Sequence, residues 1–168
     1  MKGRVICNAG PIIALCVIGR IDLLDRLFEA VFVPEEVHRE ILEGGREFAG
    51  LRVYEKSHWV KVMRTSKAVD PLLATLLDQG KGAVIELARE LNPQFVLIDE
   101  LKARKIARKI YGLEVIGSAR ILVEAKREGL INNVSKELKA MREAGYRLSD
   151  AIVEAALRQA GESWRPEK

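Results

Sequence analysis

Residues 95–108 read FVLIDELKARKIAR. Phe95, Val96, Leu97 and Ile98 form an unbroken apolar run behind Asn92-Pro93, and so short a run after a turn signal reads as a buried strand. Asp99 and Glu100 follow at once. Beyond them Ala103, Ile106, Ala107 and Ile110 recur at helical spacing, with Lys102, Arg104, Lys105, Arg108 and Lys109 between them. That is the pattern of an amphipathic helix with a basic outer face. A strand that ends in two carboxylates and passes into a helix is half of a βαβ unit. Ligands of open α/β sheets bind at the carboxyl ends of strands, so candidate chemistry belongs at Asp99 and Glu100.

Working outward, the chain alternates between the two kinds of element. Arg4–Cys7, RVIC, is β-prone and stops at Asn8-Ala9-Gly10-Pro11. A nearly all-apolar helix with Ile12, Ile13, Leu15, Cys16 and Ile18 follows and breaks at Gly19. Residues 22–28 predict an amphipathic helix and 31–33 a second strand. Pro34 opens a helix with Val37, Ile41 and Leu42 on one face, ended by Gly44-Gly45. Residues 46–57 are the least regular and read as a loop or mobile arm. Residues 58–63, HWVKVM, alternate like an edge strand. Asp70-Pro71 opens a helix that runs to about Asp78, and 80–91 form another. After the central stretch, 114–116 read as a fifth strand, and Ser118 as the cap of a helix that ends at Gly129. Residues 134–144 and 150–160, the second capped by Ser149, are tail helices, expected as core or a dimer surface. Residues 162–168 are expected to fray. Strands alternating with helices imply a parallel sheet covered on both faces. The expected organisation is one domain over 1–168, with 133–162 as a helical extension packed on it.

Composition narrows the function classes. A chain of 168 residues, 48% hydrophobic and 31% charged, has the balance of one globular domain with a real core. At 5% aromatic it does not supply a stacking platform for single-stranded nucleic acid. A net charge of +4 permits contact with a polyanion without demanding it. Cys7 and Cys16 sit in apolar surroundings and read as small buried hydrophobes, and His38 and His58 stand alone, so neither a disulfide framework nor a Cys/His zinc site is indicated. No stretch reads as a signal peptide or a membrane span, and the expected location is the cytoplasm. Abundant Lys, Arg and Glu would suit a thermophile.

Five segments in this order and spacing resemble the PIN-domain superfamily, in particular its uncharacterised prokaryotic branch related to toxin–antitoxin ribonucleases. They are VICNAGPIIALCVIGRIDLL (5–24), VFVPEEVHREIL (31–42), LLDQGKGAVIELA (76–88), VLIDELKARKIA (96–107) and EVIGSARILVEAKREGLI (114–131). The resemblance implies a three-layer α/β/α sandwich with a short parallel sheet in the order 3-2-1-4-5. Strands one and four then end side by side, which brings Asn8 toward Asp99. It also implies three or four carboxylates that hold Mg²⁺ or Mn²⁺ for RNA cleavage. Hard oxygen ligands hold a hard cation, which activates water and neutralises charge on the phosphate.

The match is incomplete. Where the family carries an aspartate after the first strand this chain has Asn8, followed by Ala9 rather than a hydroxyl residue. Glu40 matches the acid on the helix after strand two. Lys81 and Ala83 stand where the family pattern has acids, and Glu86 lies one turn beyond Ala83. Asp99 matches the acid that closes strand four, and Glu100 stands in place of a second aspartate. The candidate catalytic set is thus Asp99, Glu40, Glu100 and Asn8, with Asp99, Glu40 and Asn8 as a weakened or lost metal set. Lys81 is expected beside Asp99 in place of metal charge. Lys102, Lys105 and Lys81 are the candidate RNA contacts. For each acid a purely structural role stays open, above all Asp99 as the cap of the helix that follows it. Two functions remain. One is a weak or silent nuclease relative that binds RNA or a protein. The other is an active Mg²⁺- or Mn²⁺-dependent endoribonuclease of toxin–antitoxin type. RNA, an antitoxin-like protein and a second copy in a homodimer are the expected partners.

Overall fold

The computed structural model describes residues 1–44 and 50–165. Five parallel strands form one sheet: β1 (Arg4–Cys7), β2 (Ala30–Pro34), β3 (Val60–Met63), β4 (Phe95–Leu97) and β5 (Val115–Ile116). Their order is β3-β2-β1-β4-β5, as the resemblance implied. Val5 faces Val31 of β2 on one side and Phe95 of β4 on the other, so the order of the strands reverses around β1. Val5, Ile6, Cys7, Val96 and Leu97 are all buried. Both faces of these strands are covered, which is why they read as continuous apolar runs rather than alternating ones. β3 lies at the edge, with Lys61 and Val62 exposed.

Helices α1 (Ala9–Val17) and α2 (Asp22–Leu27) follow β1, and α3 (Glu35–Gly44) and α4 (Leu51–Glu55) follow β2. Next come α5 (Pro71–Leu76) and α6 (Gln79–Leu91), which leads into β4 and lies over β1, β2 and β4. The link from β4 to β5 is α7 (Leu101–Lys109). The remaining helices are α8 (Ser118–Arg127), α9 (Val134–Glu143) and α10 (Asp150–Gln159), and α1, α8 and α9 pack together, as do α8, α9 and α10. Together they make the three-layer α/β/α sandwich. Asn92 ends α6 in the left-handed region (φ 47°), a conformation Asn tolerates better than most residues. Arg4 reaches back to the end of that helix and donates to Leu91 O at 2.7 Å. Cys7 and Cys16 are free and buried, and burial pushes both thiols up, Cys16 to about 12.

Three expectations need correction. The stretch 46–57 is not all loop, although its part within 45–49 lies outside the described residues. Leu51–Glu55 is helical because Tyr54 is buried there, with its hydroxyl 2.8 Å from His38 Nδ1 on α3. Ser118 does not cap α8. Gly117 holds the capping position, and Ser118 is the first helical residue, with its own N–H bound elsewhere. The fraying expected over 162–168 fails at Glu162, whose carboxylate accepts from Val134 N, Ser135 N and Lys126 Nζ; its part at 166–168 lies outside the described residues.

Candidate functional site

β1 and β4 end together, because the Asn8 N–H donates to Leu97 O at 3.0 Å. Asn8 is buried at the entry to α1 and its side chain does not cap that helix. The expected crevice is therefore in place, but other side chains fill it. Asp99 Oδ1 accepts from the Ser118 N–H at 2.8 Å, and Oδ2 accepts from the Tyr146 hydroxyl. Asp99 thus satisfies a backbone donor at the start of α8, one of the N–H groups a helix cannot satisfy itself. Asp99 does not cap the helix that follows it, which Glu100 caps; it serves the start of α8 instead. Tyr146 arrives from the turn after α9 and passes over the start of α1, where a Cβ on Gly10 would lie 3.3 Å from its hydroxyl. Burial first, then the charge of Asp99, raises the Tyr146 pKa, so the group stays a proton donor. Ser118 Oγ is buried with no hydrogen-bond partner, yet it lies close enough to the Tyr146 oxygen to act on its titration.

Arg104 completes this knot. It donates to Ile98 O at 2.8 Å. A Cβ on Gly117 would come within 2.8 Å of Asp99 Oδ1 and 2.9 Å of Arg104 Nη1. The residue at 117 must therefore lack a side chain for the carboxylate and the guanidinium to approach the backbone there.

The other charged candidates meet at the start of α6. Asp78 caps that helix, accepting from Lys81 N at 3.0 Å, and its other oxygen lies 2.5 Å from Lys81 Nζ. Glu40 on α3 comes so close that a Cβ on Gly80 would sit 2.6 Å from its Oε2. Burial first, then the Asp78 charge, raises the Glu40 pKa, with Lys81 opposing. Burial works against the charge on Lys81, but Asp78, Glu100 and Glu40 together raise its pKa. Lys81 thus lies with Asp78, Glu100 and Glu40, not beside Asp99 as expected. Asp99 is not one of the acids acting on it. Replacing Lys81 by Met should lift Glu40 further above its ordinary 4.5 and release Asp78, now held below 3.8 against its own burial by Lys81. Carboxyl-carbon NMR titration of both residues reads this directly, and unmoved titrations would separate Lys81 from the acids.

The remaining candidates are dispersed. Glu100 caps α7, accepting from Lys102 N at 3.2 Å and Ala103 N at 2.8 Å. Ala83 is fully buried, so an acid could not stand there without rearrangement. Glu86 is also buried, but it accepts from Asp70 N and Arg89 at 3.2 Å each, toward α5, and does not compensate for Ala83. Lys102 and Lys105 are exposed on α7, whereas Lys81 is half-buried in its acidic nest and does not extend their surface. Sequence reasoning missed Asp78, Arg104 and Tyr146 as site members. Asp78 carried a usable signal, an Asp just ahead of a helix start; Tyr146 carried none.

This donor set suits a divalent cation poorly. Both oxygens of Asp99 face N–H and O–H donors, Asn8 is neutral, Glu100 caps a helix, and Glu40 shares its surroundings with an ammonium group. Mg²⁺ leans on carboxylate charge, and here the donors and the ammonium group already balance part of that charge. Among the described residues no three His, Cys, Asp or Glu side chains gather as they would around an ion.

A family model described as a PIN domain matches residues 4–162. No curated protein and no solved structure matches the chain significantly.

Proposed function

The chain belongs to the PIN-domain family, and from that premise we propose that it descends from metal-dependent ribonucleases but binds RNA or a protein partner without cleaving RNA. PIN domains are generally divalent-metal dependent, so the state of the acidic site decides the matter. One observation carries the reading: the carboxylate that closes β4 has both oxygens engaged by donors of its own chain, Ser118 N–H and the Tyr146 hydroxyl. A cation arriving at Asp99 would have to share that carboxylate with a helix-capping bond and a half-buried phenol. Lys81 adds to the barrier, since an ammonium group among Asp78, Glu100 and Glu40 already neutralises part of the charge that would attract an ion.

One observation favours the active alternative, an Mg²⁺- or Mn²⁺-dependent endoribonuclease of toxin–antitoxin type. Glu40, Asp78 and Glu100 all act on one ammonium group, so three acids do share a neighbourhood.

The test is a ribonuclease assay in Mn²⁺ on mixed-sequence single-stranded RNA, with the natural chain, Glu40→Gln and Asn8→Asp/Lys81→Glu side by side. We expect no cleavage by the natural chain above the Glu40→Gln background. Cleavage that chelator abolishes and Glu40→Gln loses would establish the active alternative. Activity appearing only in Asn8→Asp/Lys81→Glu would mark the lost charges as the cause of silence. Of the two positions where the family pattern has acids, Lys81 is the one restored, because a buried alanine at 83 cannot take a carboxylate without its partners.

A further inference from the structure

A groove of about 700 Å³ runs along the β5 end of the sheet, between α7, the start of α8 and α10. Its floor is aliphatic, with Ile116, Ala119, Val123 and Ala156. Two large apolar side chains stand exposed on its walls, Leu101 at 64% and Ile152 at 45%. On α10, Ile152, Ala155 and Gln159 fall at i, i+3 and i+7 and face the groove as one stripe.

Two guanidinium groups are built into the same groove. Arg104 is held by Ile98 O at 2.8 Å, and Arg108 by Val115 O at 2.7 Å. Carbonyl bonds keep both from swinging away into solvent while leaving further N–H donors free for a ligand, since each guanidinium carries five. Burial, then the Arg108 charge, lowers the Arg104 pKa, with Asp99 only partly opposing. The two guanidinium groups line one groove one helical turn apart on α7, with Asp99, which also lines it, beside Arg104. Arg120, also lining the groove, is bound to Glu124 at 2.7 Å, and Glu114 stands at the rim. Lys102, Lys105 and Lys109 extend the cationic side along the exposed face of α7.

We propose that this groove receives an acidic amphipathic helix of a partner protein. Its apolar side chains would lie on Leu101, Ile116 and Ile152, and its carboxylates would reach Arg104 and Arg108. Charge selects the acidic sequence: a carboxylate relieves the repulsion between two fixed guanidinium groups and pairs with them bidentately. The aliphatic floor selects protein over RNA. Among the described residues no aromatic ring lines the groove, so bases have nothing there to stack on, and apolar surface contributes little to holding a phosphate backbone. An apolar stripe read at i, i+3 and i+4 beside Arg anchors is how helices dock in grooves. A second copy fits badly. The acidic surface of this chain, Glu36, Glu40, Glu43 and Asp78, gathers around α3 and the start of α6, and α3 packs on β2 and β3 at the other end of the sheet. With the two surfaces at opposite ends of the sheet, pairing one with the other is head-to-tail, which favours an open chain of copies over a two-fold dimer.

The proposal goes beyond the nuclease question and stands whichever way that assay falls. The test pans the whole chain against a displayed random-peptide library, then uses the strongest binder as a free peptide. Enriched sequences should carry Asp or Glu beside apolar residues at helical spacing. The free peptide should shift the amide signals of Leu101–Lys109 and Asp150–Gln159. Ile152→Glu and Arg108→Glu, both at exposed positions, should each weaken it about tenfold or more, the scale of losing one anchor. Several results would overturn the proposal: no enrichment; basic or charge-free binders; binding undiminished in both variants; a single-stranded RNA oligonucleotide shifting the same signals instead; or self-association that Ile152→Glu abolishes.

Discussion

Asp99→Ala lowers the stability of the metal-free protein by about 2–4 kcal/mol, because it strands the Ser118 N–H at the start of α8 and the Tyr146 hydroxyl under α1. At this chain length that corresponds to a melting temperature lower by roughly 5–15 °C. The sign is the informative part. Carboxylates gathered for an ion that is not there repel one another, so removing one from a true ligand set stabilises the metal-free protein. Asp99 as a clamp predicts the reverse. Tyr146→Phe removes one of the two side-chain and backbone donors and should cost about 1–2 kcal/mol. Combining it with Asp99→Ala should add little, because the Tyr146–Asp99 bond is already lost once its acceptor is gone. Thermal melts in chelator of the four proteins complete the cycle. A melting temperature that rises in Asp99→Ala would return this residue to a ligand set and remove the main support for a silent site.

What the residues disclosed on their own follows the range of the interactions involved. Strand positions and order were accessible because buried parallel strands leave short apolar runs and the family pattern fixes which of them adjoin. The caps at Asp70 and Ser149 were legible because each side chain reaches an N–H two or three residues on. Helix α4 was not. Its five residues carry too little propensity to stand alone, and they are held by burial of Tyr54 against α3, across a stretch with no clear period. The site divides the same way. That a carboxylate closes β4 could be read directly, but the partner that decides its role could not. Ser118 lies 19 residues from Asp99 and Tyr146 lies 47, so only the packed fold brings them together. Lys81 is the intermediate case. Its charge reversal was visible in the sequence, while the acids around it were set by how α3 meets α6.

Glu162 makes the same point at the tail, and its removal has the second large effect expected. The residue lies beyond α10, where the sequence predicts fraying, yet its carboxylate accepts from Val134 N at 2.7 Å, Ser135 N at 2.9 Å and Lys126 Nζ at 2.8 Å. It therefore caps α9 from a distance and ties the end of the chain to α8. Burial opposes ionisation of this carboxyl, but Lys126 and the two backbone donors outweigh it and hold its pKa below the ordinary 4.5. Glu162→Ala strands two N–H groups and an ammonium and should cost about 2–4 kcal/mol. An acid whose pKa is depressed by folding contributes its stability above the unfolded value and loses it as pH falls through the folded one. The gap between the natural chain and Glu162→Ala should accordingly be full at neutral pH and shrink on acidification below 4.5. Glu162→Gln should fall between the two and lack that pH dependence, since the amide oxygen still accepts from an N–H but does not ionise. Because α10 lies between Glu162 and its partners in the chain, the loss should also appear as faster amide exchange in the first turn of α9 than in β1 or β4. Equal stability of Glu162→Ala and the natural chain at pH 7, or a gap that widens in acid, would mean that the tail is not anchored this way.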